Sequence, residues 1–172
     1  MIGYEVEFKG FDEQIAKLKK YPQISDKHLL KAMHQSVITI ESAVKPLTPV
    51  GVSARLRNSI AGEVKHLSAL SIEGRVGSTL KDEIYPSVME FGRKPGRMPP
   101  PSALERWVQL KLGVAQEDVP GVAYLVARAI GRKGIKGKKF MERGWNMSKA
   151  KVNQYFVSAL NAIAEELSIG GH

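Results

Sequence analysis

The chain has 172 residues, 43% of them hydrophobic and 25% charged, a formal net charge of +9 and no cysteine. That length suits one domain, or one domain with an appended arm, and lets about 70% of the unfolded surface be buried. Without cysteine there are no disulfide staples, thiolate metal sites or cysteine nucleophiles.

The charge is unevenly spread. Residues 1–90 carry 12 Lys/Arg against 11 Asp/Glu, and residues 91–172 carry 14 against 6. The basic character therefore belongs to the second half. It suits a nucleic acid, an acidic protein or an anionic membrane, or simply a solvated face. No basic n-region followed by an apolar run opens the chain, so no secretory signal is expected. No apolar run approaches the ~20 residues that span a bilayer, so no membrane partner is expected.

In chain order, Ile2, Tyr4, Val6 and Phe8 alternate with small or polar residues and predict a short strand. Asp12 caps a predicted short helix through Lys20, with Lys17, Lys19 and Lys20 toward solvent, and Tyr21-Pro22 ends it. Ser25 is the predicted N-cap of a long amphipathic helix bearing Leu29 or Leu30, Met33, Val37, Ile40 and Val44, stopped near Lys45 by Pro46. His28 and His34 lie six apart on it, the wrong spacing for a metal pair on one helix face, and read as surface or edge histidines.

The stretch TPVGVSARLRNSI, residues 48–60, follows. It predicts a turn at Gly51, then a strand with Leu56, Asn58, Ile60, Gly62 and Val64 on one face and Arg55 and Arg57 on the other. Leu70, Ile72, Gly74 and Val76 predict a second strand, with the hairpin loop over residues 66–69. Residues 85–91 fit a short strand or a helical turn equally, and Gly92 ends them.

Residues 93–101, RKPGRMPPP, hold three cations, four prolines and a glycine. That composition favours an extended arm, either a linker or a recognition arm. Ser102 is the predicted cap of a helix with Leu104, Trp107, Val108 and Lys111, ended near Gly113. Residues 117–120 open another, with Val122, Leu125, Val126, Ala129 and Ile130 inward and Gly131 as its stop. Residues 131–140, GRKGIKGKKF, hold five cations and three glycines. A last helix is predicted over residues 141–167, with Val152, Phe156, Ala159, Ile163 and Leu167 as its stripe and Gly144 as a weak point. Residues 170–172 read as a frayed tail. The expected fold is α+β: a small antiparallel sheet packed against a long amphipathic helix, with further C-terminal helices and extended arms, in a single domain spanning residues 1–172.

No catalytic, cofactor or metal site emerges. Asp82-Glu83 and Glu165-Glu166 are sequence neighbours whose side chains diverge, no His-Glu pair has helical spacing, and Ser53, Ser59 and Ser78 sit in no GxSxG elbow. The glycines at 131–137 follow a predicted helix and lack the phosphate-loop pattern. The strongest chemical feature is the run Arg132, Lys133, Lys136, Lys138 and Lys139 with Arg143, where cations meet phosphates and glycines permit close backbone approach. Phe140 and Trp145 flank it and read as core residues rather than base-stacking ones.

The succession KPLTPVGVSARLRNSI, RVGS, YPSVMEFGRKPGRMPPP, LERWVQLKLGV and AYLVARAIGRKGIKGKKFMERGW, closed by a terminal helix, resembles the tail-completion and head–tail-joining (neck, minor tail) proteins of long-tailed bacteriophages and prophages. Thr48, Pro49, Leu56, Asn58 and Ser59 match a first family segment, TP-x-x-TG-x-L-x-x-S. Tyr85, Glu90 and Gly92 match a second, and Gly134, Gly137 and Phe140 a third. The similarity covers roughly residues 25 to 168. The family's Thr-Gly reads Ser53-Ala54 here, so glycine does not serve that turn and Gly51 is the candidate replacement.

The resemblance implies a non-enzymatic virion subunit. It would finish the tail or join it to the head, as a homo-oligomeric ring around the DNA path, with connector and tail-tube proteins as neighbours. It would be assembled in the host cytoplasm. Candidate subunit-interface or DNA-path contacts are Arg55, Arg57, Arg93, Lys94, Arg97, Arg132, Lys133, Lys136, Lys138 and Lys139. The alternative is a basic accessory protein that binds nucleic acid without sequence preference. No cofactor is expected.

Overall fold

The structure is a computed structural model that describes residues 11–68, 71–81 and 84–169. The strand expected over residues 2–8, the Asp82-Glu83 pair and the tail at 170–172 lie outside the described residues, as do the side chains of Lys17, Lys19 and Lys20. The fold is α+β. The described elements are α1 (Phe11–Leu47), α2 (Arg55–Ser59), β1 (Ile60–Ser68), β2 (Ser71–Ser78), α3 (Ile84–Phe91), β3 (Gly92–Arg93), α4 (Ser102–Leu112), α5 (Val119–Lys133), β4 (Ile135–Lys136) and α6 (Phe140–Ile169). β1 pairs with β2, and β3 with β4. The two-residue connection after β1 permits only antiparallel pairing.

Two compact units share α1, β1, β2 and α6. The first takes in residues up to Thr39, Glu63–Arg75 and the chain from Ser148 onward. Here Ala32 and Val37 on α1 are buried, as are Val152, Ala159 and Ile163 on α6, the α6 set at spacings of seven and four that keep it on one helix face. Thr39 Oγ1 and Tyr155 OH are 3.2 Å apart. His28 Nε2 lies 2.6 Å from Glu166 Oε2, with Lys27 Nζ at 3.6 Å from the same carboxylate. His66 pairs with Asp26.

The second unit takes in Ile40–Gly62 and Val76–Met147. Its main core is Val44, Leu56, Ile60 and Phe140, with Ile40, Leu47, Val76, Leu80, Met89 and Met141 packed around them. A second cluster joins α4 to α5 through Val108, Val119 and Ala123.

Several expectations give way. Pro22 does not end a helix, because α1 runs unbroken through it. A proline in a helix interior removes one backbone hydrogen bond at a cost of about 3 kcal/mol, a local bias that a 37-residue helix can carry. Ser25 is therefore no cap: it is buried mid-helix, at 2% exposure. Pro46 sits in the final turn of α1, which Thr48 closes by donating to the Val44 carbonyl from both N (3.0 Å) and Oγ1 (2.9 Å).

Residues 55–59 are helical, not extended. Leu56, Ser59 and Ile60 are buried while Asn58 is exposed, a three–four period rather than an alternation. His66 lies within β1, so the hairpin connection falls after Ser68. Residues 84–91 are the helix α3. α5 runs past Gly131 to Lys133 and buries Val119, Ala123 and Ala127, leaving Leu125 exposed. Trp107 and Trp145 are also exposed, whereas Phe140 is buried. The stripe of α6 and the stop of α4 at Gly113, in the left-handed region at φ 64°, are as expected.

Candidate functional site

The Pro-rich segment 93–101 and the Gly/Lys segment 131–139 are two sides of one ribbon. Lys138 N donates to Met89 O (2.8 Å), Lys139 N to Glu90 O (3.1 Å) and Gly96 N to Gly131 O (2.8 Å). Between these bonds β3 and β4 pair antiparallel, Gly92 opposite Lys136 and Arg93 opposite Ile135. Chain contact is thus continuous from Met89 to Gly96 on one side and from Lys139 back to Gly131 on the other.

Glycine makes the approach possible. Gly92 (φ +85°) and Gly134 (φ +72°) hold backbone conformations that L side chains rarely adopt. A Cβ on Gly92 would meet Ile135 O at 2.5 Å, and one on Gly134 would overlap Arg93 O. A Cβ on Gly137 would stand 2.5 Å from Glu90 O. Any of the three as alanine would prise the ribbon apart.

One carboxylate anchors the ribbon to α6. Glu90, at 6% exposure, accepts from Met141 N (2.9 Å) and Glu142 N (3.1 Å). The residues before α6, Gly137-Lys138-Lys139, contain no Ser, Thr, Asp or Asn to cap it. The first helical N–H groups thus need an acceptor from elsewhere, and Glu90 supplies one with the charge that a helix N-terminus favours. Phe140 then enters the core beside Leu56 and Val44.

Of the candidate contacts, eight lie on the ribbon: Arg93, Lys94, Arg97, Arg132, Lys133, Lys136, Lys138 and Lys139. All but Arg93 are exposed, and Arg93 donates to the Arg97 carbonyl. Lys139 pairs with Glu142 at 2.9 Å, and that hydrogen bond raises the Lys139 pKa above its ordinary value. No acidic side chain among the described residues pairs with Lys94, Arg97, Arg132, Lys133, Lys136 or Lys138. Arg55 and Arg57 do not belong to the ribbon. They are exposed on α2, where Arg57 lines a shallow hollow with Lys45, Pro46 and Asn58.

Leu56 of the first compared segment and Phe140 of the third share one core cluster. The Gly51 Cβ position is 3.5 Å from the Tyr85 hydroxyl. Ser59 Oγ donates to Leu56 O (2.7 Å) and sits 2.8 Å from Ser78 Oγ. Ala54, not Gly51, carries the left-handed conformation of that corner, at φ 51° and ψ 17°.

Several large apolar side chains are exposed. Ile84 is 75% exposed and Phe91 81%, on α3, and Trp107, Leu110, Leu125, Trp145 and Met147 are also open. On α5 the expected Val122 and Val126 pack against the Val108, Val119 and Ala123 cluster, whereas Leu125 and Ala129 are exposed. No described helix is long and apolar enough to cross a membrane. No protein-family model, curated protein or solved structure matches the chain.

Proposed function

We propose that this chain is a non-enzymatic structural subunit of a tailed-phage virion. It finishes the tail or joins it to the head, and it works as a ring of copies around the DNA path beside connector and tail-tube proteins. The observation that carries this reading is the meeting of the second and third family-like segments. Glu90 and Gly92 of one pack against Gly134, Gly137 and the start of α6 of the other. Residues far apart in sequence that resemble one family's motifs thus have a common structural task. Phe91, Trp107 and Leu125 are large apolar side chains left exposed on α3, α4 and α5, and an assembly can bury such side chains.

The test is light scattering and negative-stain electron microscopy of the purified protein, alone and with the connector and tail-tube proteins of the same virion. A closed ring, or stoichiometric docking to either partner, is expected. A protein that stays monomeric alone and with each partner overturns the reading. Arg57→Glu, on the exposed face of α2, is expected to weaken assembly while leaving the circular dichroism spectrum and Tm unchanged.

A further inference from the structure

Segments 93–101 and 131–139 together carry eight cations and no acidic residue. Pairing along the ribbon brings these charges into one body, and glycine-to-backbone contact holds it in shape. Six of the cations are exposed and have no acidic partner among the described residues. Like charges held this close repel one another, and a polyanion that replaces the counterions around them relieves that repulsion.

We propose that this ribbon is a binding surface for the phosphodiester backbone of duplex nucleic acid, held without reading sequence. The assignment is independent of whether the chain forms rings. Three observations favour phosphate over an acidic protein. Five of the eight cations are lysines, point charges that follow a row of phosphates, whereas carboxylate recognition favours the bidentate fork of arginine. The cores of protein interfaces are depleted in lysine and built on apolar anchors, whereas the two segments carry five lysines and few apolar side chains beyond Met98 and Ile135. A second copy of this chain offers no net-acidic half as counterpart, since residues 1–90 carry 12 Lys/Arg against 11 Asp/Glu and residues 91–172 carry 14 against 6.

Duplex is favoured over single strand by the absence of aromatic residues from both segments, so successive bases find no row of stacking platforms. Phe91 is one exposed ring at the border of the ribbon, and one ring is not a row. Only residues 131–133, the last turn of α5, are helical, and neither segment forms a long strand able to lie in the major groove, so base edges go unread.

The test is fluorescence anisotropy of a labelled 30-base-pair duplex of arbitrary sequence, titrated with the full chain at several salt concentrations. Unlabelled polyglutamate of matched charge serves as competitor, and light scattering of the same samples records the oligomeric state. About four to six phosphate contacts correspond to a log–log salt slope of about −4 to −5. Lys136→Ala/Lys138→Ala is expected to weaken binding and flatten that slope by about 2. Lys65→Ala/Arg75→Ala, an equal charge change on the β1–β2 hairpin, is expected to leave the slope unaltered. Three results overturn the proposal: no binding at low salt, the same loss of slope in both variants, or competition by polyglutamate as effective as that by unlabelled duplex. None of them bears on ring formation, which the light scattering reads separately.

Discussion

The Glu90 carboxylate accepts hydrogen bonds from the backbone of Met141 and Glu142, 51 and 52 residues further along the chain. One buried side chain thereby ends the isolation of a helix that has no cap of its own and locks the ribbon beneath it. Glu90→Ala would leave two helix donors without that acceptor. Hydrogen bonds to a charged group contribute about 1.5–3 kcal/mol, so a loss of about 2–3 kcal/mol is expected. Glu90→Gln keeps one carbonyl acceptor, loses the charge and should fall between wild type and Glu90→Ala. Urea denaturation of the three proteins checks the order. Equal stability of Glu90→Ala and wild type would remove Glu90 from this role.

Ala54 holds a left-handed backbone at φ 51° just before α2. For a residue with a Cβ that region costs about 1–2 kcal/mol, while glycine costs about 0.5–1 kcal/mol in unfolded-chain entropy. Ala54→Gly is therefore expected to stabilise by up to about 1 kcal/mol. Ala54→Val, with a β-branched side chain in the same conformation, is expected to destabilise. Thermal unfolding of the pair gives the comparison, and a lower Tm for the glycine variant contradicts the reading of the corner.

Glu166 sits against His28, and the His28 hydrogen bond is the main reason its pKa lies below the ordinary carboxylate value, with Lys27 adding to the effect. A carboxyl whose folded pKa is depressed contributes stability above its unfolded pKa and loses it as pH falls through the folded one. The window therefore opens near the unfolded value of about 4.3 and extends downward. Glu166→Gln should be less stable than wild type near neutrality, and the two Tm curves should converge in acid. Parallel curves from neutrality to acid would contradict this. His28→Ala removes the same partner and should reproduce the convergence.

The α+β class, the stripe of α6 and the glycine stop of α4 were legible in the sequence because each depends on local periodicity or a local cap. The continuity of α1 was not. Tyr21-Pro22 is a local stop signal, yet the helix runs through it. In residues 56–60 the two periods coincide, since Leu56 and Ile60 share a face in a strand as well as in a helix, and the exposure of Asn58 decides between them. The cationic residues of both segments stood out individually. Their union did not, because nothing local to residues 93–101 specifies residues 131–139 as a partner. The glycines at 134 and 137 announce a close approach without naming what approaches.

Gly144 looks like a flaw in α6 until its neighbour is considered. A Cβ there would overlap Val44 Cγ2 and come within 3.0 Å of Val44 Cα and 3.1 Å of Val44 N. Val44 is fully buried on α1, so glycine is what lets the two helices cross so closely. Helix propensity alone makes Gly144→Ala favourable by about 1 kcal/mol, whereas overpacking a tight core costs about 1–3 kcal/mol. Two of the three close contacts are backbone atoms that no rotamer change relieves, so steric cost wins and a net loss of about 1–2 kcal/mol is expected. Val44→Ala removes the offending methyl. In the Gly144→Ala background it should cost at least about 1 kcal/mol less than it costs alone, a coupling typical of residues in contact. Chemical denaturation of the two single variants and the double variant measures it. Additive losses, or a Gly144→Ala protein more stable than wild type, would show that α1 and α6 do not meet at this point.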